Sequence, residues 1–242
     1  MTDQRAAEQL PLALPVAAAM GRDDFLAAPP NALALAAIES AAGLPAGLSV
    51  LTGPPGSGKT HLARIWAARN GAHWQPAATL TADLPALLAE DAPCAIVIDD
   101  AQALARTAGE EALFHLVNHL RGRGQLLLTA RQPVRDWGLA LPDLVSRLTA
   151  AAHPALAEPD QALLAAVLVK LFADRQLRVE PALIDYLLDR MERSLGAARR
   201  LVARLDQVSL QRRRRITRDL AREVLAQTAD ADLDNPGADG AS

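Results

Sequence analysis

Apolar residues follow two patterns along the chain. Up to about residue 156, short apolar runs typical of buried strands alternate with stretches of helical periodicity. This alternation predicts a parallel α/β sheet with helices on its faces. The predicted order is a helix at 31–43, a strand, glycine-rich loop and helix across 48–71, a short helix at 83–90, a strand within 94–102, a helix at 109–124, a strand at 125–130 and a short helix at 141–148.

Beyond about residue 158 the pattern is helical only. Four helical segments follow one another without an intervening strand, at 160–176, 180–192, 194–213 and 217–227. Asp160 and Thr217 stand where N-caps are expected. The sequence therefore predicts an α/β domain at 21–156 and a small all-α domain at 157–228, with tails at 1–20 and 229–242.

Composition narrows this picture. The 242 residues are 50% hydrophobic but only 3% aromatic, which favours helices over an all-β fold. No apolar run approaches the roughly 18 residues of a membrane span, so no membrane contact is predicted. The single cysteine, Cys94, excludes an internal disulfide and is expected in the core.

Charge is distributed unevenly. The net charge is −3, yet residues 161–228 carry 14 Lys and Arg against 8 Asp and Glu. The run "QRRRR" (211–215) is either a phosphate-binding patch or a solvated helix end. The tail at 229–242 is acidic and poor in apolar residues, so it is predicted to be disordered.

The strongest motif is "GPPGSGKT" (53–60), between a predicted strand and a predicted helix. It fits the phosphate-binding loop G-x-x-x-x-G-K-[ST], in which backbone N–H groups and the helix N-terminus surround phosphates. Lys59 is expected to reach the β- and γ-phosphates, and the Thr60 hydroxyl to bind Mg²⁺. The predicted phosphate-binding residues are Pro55, Gly56, Ser57, Gly58, Lys59 and Thr60.

Two acids follow the apolar run "AIVI" within "AIVIDDAQ" (95–102). We expect this strand beside the strand of the phosphate loop, with the carboxylates at the ligand-binding edge of the sheet. Asp99 would hold Mg²⁺, directly or through water, and Asp100 would polarise an attacking water. Helix N-capping by Asp100 is the alternative.

Several arginines and histidines are further candidates. An arginine supplied by a neighbouring molecule can stabilise a departing γ-phosphate, and Arg147 and the pair Arg199 and Arg200 stand in suitable helical segments. His115 and His119 share a helix face at a spacing seen in zinc sites. No third ligand is evident and a leucine replaces the expected glutamate, so the pair is interpreted as structural or as part of the surface.

The N-terminal segment "EQLPLALPV" (8–16) is apolar and contains two prolines, so it cannot continue as a helix. It lacks the basic start of a signal peptide. Two other interpretations stay open from the residues alone: the segment packs on its own domain, or it is a linear motif whose leucines fill pockets on a partner.

Together these motifs resemble AAA+ ATPases, and more narrowly the DnaA/Hda branch. The resemblance rests on "GPPGSGKTHLA", "IDDAQ", "GLALPDLVSRL" and "GRDDFLAAPPNALALAAIE" (21–39), and extends over about residues 9–226. It implies a P-loop AAA+ sheet domain followed by a helical lid, with ADP or ATP and Mg²⁺ as cofactors. It assigns nucleotide contacts to Phe25, Leu26, Asn31, His61 and the lid residue Arg199.

Within this branch the chain resembles the Hda family, the regulatory homologues of DnaA, because it has no room for DnaA's DNA-binding domain. "QLPLAL" (9–14) matches that family's motif for the DNA polymerase sliding clamp (β subunit). The resemblance implies partners: the clamp, DnaA, and DNA through the clamp. It assigns clamp contacts to Gln9, Leu10, Leu12 and Leu14, the second-motif acids to Asp99 and Asp100, and the arginine finger to Arg147.

The implied function is negative regulation of replication initiation in a bacterial cytoplasm, by promoting hydrolysis of DnaA-bound ATP. The chain departs from the family at Arg131, where an acid is usual. This departure puts the chain's own hydrolysis in doubt and leaves ADP or ATP as the working ligand open, as it leaves self-association. A helicase-loader or transposition-type AAA+ ATPase, and an ADP-binding adaptor without catalysis, are the competing hypotheses.

Overall fold

The computed structural model describes residues 21–40 and 44–234, and side chains up to residue 227. Four parallel strands form the sheet in the order β1-β4-β3-β2. Residues 152 and 155 bridge in parallel to β1, so the chain also covers the outer edge of that strand. The strands are β1 Leu48–Thr52, β2 His73–Pro76, β3 Ala95–Asp99 and β4 Gln125–Ala130.

Helices cover both faces of the sheet, because the strands are apolar on both sides. Val50, Ile98 and Leu128 face a cluster that includes side chains of α3, α4 and α5. Leu51 and Leu127 face the opposite cluster, which α1 and α2 complete. The helices are α1 Ala32–Ile38, α2 Lys59–Asn70, α3 Leu80–Leu87, α4 Ala108–Leu120 and α5 Pro142–Ala150.

The C-terminal helices form a lid domain with its own apolar core. The side chain of Asp160 caps the first of them by accepting a 2.7 Å hydrogen bond from the Leu163 N–H, as the sequence predicts. Thr217 makes a longer cap contact of 3.4 Å with the Leu220 N–H. The lid helices are α6 Gln161–Asp174, α7 Pro181–Leu188, α8 Leu195–Arg212 and α9 Arg218–Asp234.

The expected position of the acid-bearing strand is wrong in one respect. β3 does not lie beside β1, because β4 pairs with both and separates them. An apolar run shows that a strand is buried on both faces, but it carries no information about which neighbour shares its hydrogen bonds. As a result, Thr129 of β4 lies between the phosphate loop and the two acids.

Some element boundaries also differ from prediction. β2 was not predicted, since it is a four-residue edge strand with alternating polar residues and pairs only with β3. The first helix ends at Ile38 instead of residue 43. The third begins at Leu80, where Leu80 and Leu87 are buried one above the other against the sheet.

Two further expectations are corrected. Cys94 is exposed instead of buried, since it precedes β3 and uses its carbonyl to accept a 2.6 Å bond from the Gln125 N–H. The predicted disordered tail is helical over 229–234, because extending an existing helix adds one hydrogen bond for each residue fixed. The tail at 235–242 and the predicted clamp motif at 9–14 lie outside the described residues. No helix in the described part of the chain is long and apolar enough to span a bilayer.

Candidate nucleotide-binding site

The phosphate loop curls between β1 and α2. Gly56 and Gly58 adopt φ angles of 67° and 101°, which favour glycine. The ammonium of Lys59 donates 2.8 Å hydrogen bonds to the carbonyls of Gly53 and Pro54. Burial lowers the pKa of Lys59, and the nearby charge of Arg131 lowers it further. The lysine is thus held inside the loop, where phosphate oxygens would bind.

Ser57 supports a ligand site within this loop. Its side chain is 3% exposed, and its hydroxyl is the one buried side-chain polar atom without a hydrogen-bond partner in the part of the chain that the structure describes. Buried hydroxyls are normally bonded. A phosphate oxygen would supply the acceptor that this hydroxyl lacks.

The second-motif acids lie across β4 from the loop. The Thr60 hydroxyl donates to Asp99 at 3.5 Å, and the Thr129 hydroxyl donates to the other carboxylate oxygen. Thr129 in turn accepts a 3.0 Å bond from the Asp100 N–H. Thr60 and Asp99 offer the hydroxyl and carboxylate oxygens that Mg²⁺ prefers. Thr129 was missed by sequence analysis, because its role depends on strand order.

Asp100 and Arg131 meet at the end of β3 and β4. Asp100 takes a left-handed conformation with φ 57°, and its carboxylate lies 3.9 Å from the Arg131 Nε. The Gln102 side chain fixes the arginine's backbone by accepting a 2.8 Å bond from its N–H. A cation therefore stands beside the acid that was expected to act on water.

The segment before β1 forms the other wall of the cleft. Phe25 packs edge-on against His61, with ring centroids 5.4 Å apart. Asn31 is buried, and its amide accepts from the Ala28 N–H and donates to the Leu26 carbonyl, each at 2.9 Å. These bonds fix the backbone that forms this wall of the cleft. Phe25, Leu26, Asn31 and His61, all predicted to contact the nucleotide, line one cleft together with Arg199.

His61 links the sheet domain to the lid. Arg199 of α8 donates to the His61 Nδ1, so the proton of the ring lies on Nε2, which donates to the Gly21 carbonyl at 3.3 Å. Burial lowers the pKa of His61 to about 4, and the Arg199 charge contributes. Burial also lowers the pKa of Arg199. Arg200, the alternative lid candidate, is exposed and lies 3.7 Å from Glu192 instead.

We expect His61 to stay neutral well below its ordinary pKa of 6.5. Because its folded-state pKa is depressed, its contribution to stability is fully present above about pH 6.5 and is lost as the pH falls toward 4. NMR titration of the histidine ring measures this. Arg199→Ala should raise the pKa of His61, whereas the control Arg200→Ala should not. A wild-type titration near pH 6.5 would contradict the assignment.

The lid also contacts the phosphate loop directly. The Leu195 N–H donates to the Gly56 carbonyl at 2.9 Å, and Ser194 caps α8 by accepting from the Ala197 N–H at 3.0 Å. A side chain at Gly56 would collide with Ser194. Sequence analysis missed this contact. The Ser194 cap was readable from the sequence, but its position over the loop was not.

An ion pair joins the lid to the segment before β1. Lys170 lies 2.9 Å from Asp24. The hydrogen bond from Lys170 is the largest cause that lowers the pKa of Asp24. The lid thus closes over the cleft by contacts at Asp24, Gly56 and His61.

Arg147 is not brought to this cleft. Its guanidinium lies 5.8 Å from the Phe114 ring centroid, and it lines a separate concavity with Leu48. Leu48 is the first residue of β1, whereas the phosphate loop follows the last residue of β1. Arg147 and the phosphate loop therefore lie at opposite ends of this strand.

The histidine pair His115 and His119 lies on α4. His115 is exposed and His119 is partly buried. In the described residues, no group of three or more His, Cys, Asp or Glu could hold a metal ion.

Comparison with solved structures defines the fold. Domain III of the Thermotoga maritima replication initiation protein DnaA matches with a TM-score of 0.75 and 17% identity, over 86% of this chain and 96% of that one. AMPPCP-bound DnaA from Aquifex aeolicus matches at 0.63 and 18% identity, over 78% and 64%. The Thermotoga maritima RuvB Holliday junction branch migration motor matches at 0.61 and 22%, over 81% and 65%. The chain therefore has a DnaA-like AAA+ fold with a helical lid.

The lid also matches a family model. Residues 160–225 match the family model described as "Hda, lid domain". No match is found among curated proteins. The lid therefore resembles the Hda lid domain, and it follows a sheet domain with a DnaA-like fold.

Proposed function

We propose that this protein is a negative regulator of DNA replication initiation. It docks on the DNA-loaded sliding clamp and promotes hydrolysis of ATP bound to DnaA. The Hda lid and the DnaA-like fold support a DnaA-related replication regulator. The proposed arginine finger is supported by the position of Arg147. It lies at the opposite end of β1 from the chain's own phosphate loop, where it could reach a nucleotide bound by another molecule.

The chain itself binds ADP or ATP in the cleft between sheet and lid. The curled loop, the unpartnered Ser57 hydroxyl and the buried Lys59 support this, as does AMPPCP in the Aquifex aeolicus DnaA structure. Thr60 and Asp99 would hold Mg²⁺, which when bound neutralises phosphate charge. Phe25, Leu26 and His61 would contact the base.

Lys59→Ala should weaken ADP binding by about 10- to 100-fold, since a charge-assisted hydrogen bond contributes roughly 1.5–3 kcal/mol. Titration with a fluorescent ADP analogue in the presence of Mg²⁺ measures the affinity. Arg121→Ala, which removes an exposed cation at the far end of α4, serves as the control. Equal affinity of Lys59→Ala and wild type would refute binding in this cleft.

Hydrolysis of the chain's own nucleotide is proposed to be slow. Asp100 is the residue expected to polarise the attacking water, but Arg131 lies 3.9 Å from its carboxylate. An ion pair with this cation competes with the hydrogen bond that the carboxylate would make to a water. The protein would then act mainly on the nucleotide of its partner.

Clamp docking is assigned to Gln9, Leu10, Leu12 and Leu14. The support is the sequence "QLPLAL" in an apolar segment with two prolines. An extended, proline-stiffened peptide loses less conformational entropy when it binds. Since its proposed partners act in DNA replication, we propose that the protein functions in a bacterial cytoplasm.

The proposal is tested by measuring ATP hydrolysis by purified DnaA in the presence of clamp loaded on DNA. Wild-type protein should accelerate hydrolysis, and Gln9→Ala should lose most of the acceleration because docking is weakened. Gln4→Ala, in the same tail but outside the motif, should behave as wild type. If wild type has no effect on DnaA, the regulator proposal fails.

A helicase-loader or transposition-type AAA+ ATPase is the second candidate. The positively charged lid favours it. This second candidate function predicts that the protein binds a replicative helicase, whereas a regulator of DnaA does not need to bind one. A pure ADP-binding adaptor would dock on the clamp but leave DnaA hydrolysis unchanged.

A further inference from the structure

Five arginines define a positively charged surface on the lid, here called the arginine surface. Arg213, Arg214 and Arg215 occupy the connection between α8 and α9, and all three are exposed. Arg218 follows in the first turn of α9, and Arg190 lies two residues after the end of α7. The guanidiniums of Arg190 and Arg218 both lie over the Tyr186 ring, at 4.1 and 4.6 Å from its centroid. The ring therefore holds the α7 and α9 arginines next to each other.

The carboxylates nearest in sequence do not neutralise this surface. Asp219 pairs with Arg222, and Glu223 pairs with Arg212. Within the described part of the chain, the arginines at 213, 214 and 215 form no ion pair with Asp or Glu. Their charges are therefore free to attract an anionic partner.

The backbone that carries these arginines is anchored. α8 ends at Arg213 in a left-handed conformation with φ 51°. The Arg214 N–H donates to the Ser209 carbonyl at 3.1 Å, and the Ser209 hydroxyl donates back to the Arg214 carbonyl at 2.6 Å. These bonds fix the turn, so the arginines are presented without ordering a loop first. Preorganised charges cost less entropy on binding.

We propose that the arginine surface binds the phosphate backbone of duplex DNA. Guanidinium groups match phosphate geometry through bidentate hydrogen bonds. Double-stranded DNA carries about one charge per 1.7 Å of axis, so it can engage several arginines at once, which a single small anion cannot. The interaction is independent of sequence, since it reads phosphates only.

Duplex DNA fits better than single strands because the lid offers no ring for stacking. Binding of unpaired strands depends on exposed aromatic side chains. The aromatic residues of the lid are Phe172 and Tyr186, which are 1% and 8% exposed, and Tyr186 already carries two guanidiniums. An anionic membrane fits less well, because Leu210 is the one large apolar side chain exposed near the turn, and a lone surface leucine is ordinary.

This inference rests on the lid alone and goes beyond the proposed action on DnaA. DNA binding is measured with the full-length protein and labelled DNA, without clamp or DnaA. The result is therefore independent of whether the protein acts on DnaA. Fluorescence anisotropy is recorded over a salt series with a duplex of about 20 base pairs and with one of its strands. Vesicles containing phosphatidylglycerol form a third arm.

Replacing all three arginines (Arg213→Gln, Arg214→Gln, Arg215→Gln) should lower the slope of log affinity against log salt by about 2–3, because each phosphate that the protein no longer neutralises reduces the slope by roughly 0.9. The double variant Arg214→Gln, Arg215→Gln preserves Arg213 and its left-handed turn, and should lower the slope by about 1–2. The control is Arg135→Gln, which removes an arginine with an 83% exposed side chain on the sheet domain.

Weaker binding of the duplex by both lid variants, with the control unchanged, supports the proposal. Tighter binding of the single strand than of the duplex overturns it. So does an unchanged salt slope in the double variant, or binding to the vesicles without binding to the duplex. Thermal unfolding of each variant confirms that the lid is folded.

Discussion

Arg147→Ala is expected to remove nearly all stimulation of DnaA-bound ATP hydrolysis while leaving the chain's own nucleotide affinity unchanged. An arginine supplied in trans to a departing γ-phosphate contributes about 10³–10⁵ in rate in known systems. Arg147 is half-buried on α5, in a concavity that none of the phosphate-loop residues lines. Single-turnover hydrolysis by DnaA, with clamp and DNA present, measures the loss.

Two control variants distinguish loss of the arginine finger from loss of a positive charge at position 147 and from the removal of any surface arginine. Arg147→Lys retains the charge but not the planar fork, so it should recover only a small part of the stimulation. Arg135→Ala should retain all of it. If Arg147→Ala stimulates DnaA within a factor of about three of wild type, Arg147 is not the finger, because such a residue contributes far more.

Glu110→Ala is expected to lower the free energy of unfolding by about 3–5 kcal/mol, since each buried donor left without a partner costs roughly 1–3 kcal/mol. Glu110 is 3% exposed. Its carboxylate accepts from the Arg106 N–H at 2.9 Å and from the Ala140 and Leu141 N–H groups at 2.7 Å each. These bonds tie α4 to the start of α5, and so also position Arg147. Urea unfolding followed by circular dichroism measures the change.

The matched control is Glu111→Ala, an exposed neighbour on the same helix, which should stay within about 0.5 kcal/mol of wild type. Glu110→Gln should cost less than alanine, about 1–3 kcal/mol, because its carbonyl oxygen can still accept from the Ala140 and Leu141 N–H groups while its amide N–H faces the Arg106 N–H. A loss of under about 1 kcal/mol for Glu110→Ala would show that water replaces the carboxylate.

Glu110 also predicts a pH dependence. Burial alone would raise the pKa of its carboxyl, but hydrogen bonds from the three backbone N–H groups outweigh burial and lower it below 4.5. The stabilisation is therefore present above about pH 4.5 and is lost as the pH falls through the lower folded-state pKa. In Glu110→Ala this part of the acid destabilisation should be absent.

Much of the site could be predicted because its parts are contiguous in the chain. The phosphate loop needs glycines, a lysine and a threonine at fixed spacing, and the strand and helix that bracket it are visible as periodic patterns. The lid helices were predicted for the same reason, each having its own apolar face. Asp99 and Asp100 were identified from their place at the end of a buried strand, although the neighbour of that strand was not.

Contacts between distant segments were beyond the sequence pattern. His61 and Arg199 are 138 positions apart, and no local rule shows that the arginine fixes the histidine's tautomer. Glu110 was not singled out, because a glutamate in the first turn of a helix is ordinarily a solvated residue. Its importance depends on the return of residues 140 and 141 to the same place.

The sequence by itself determined the phosphate loop, the order of strands and helices along the chain, and the excess of positive charge in the lid. The tertiary structure decided which strands pair, and thereby placed Thr129 between loop and acids and Arg131 against Asp100. It also placed Arg147 at the opposite end of β1 from the phosphate loop, and it fixed the turn that carries the lid arginines. The physical reason is that periodicity and motifs record local backbone preferences, whereas strand order and domain packing follow from hydrogen bonds and apolar burial shared by segments far apart in the chain.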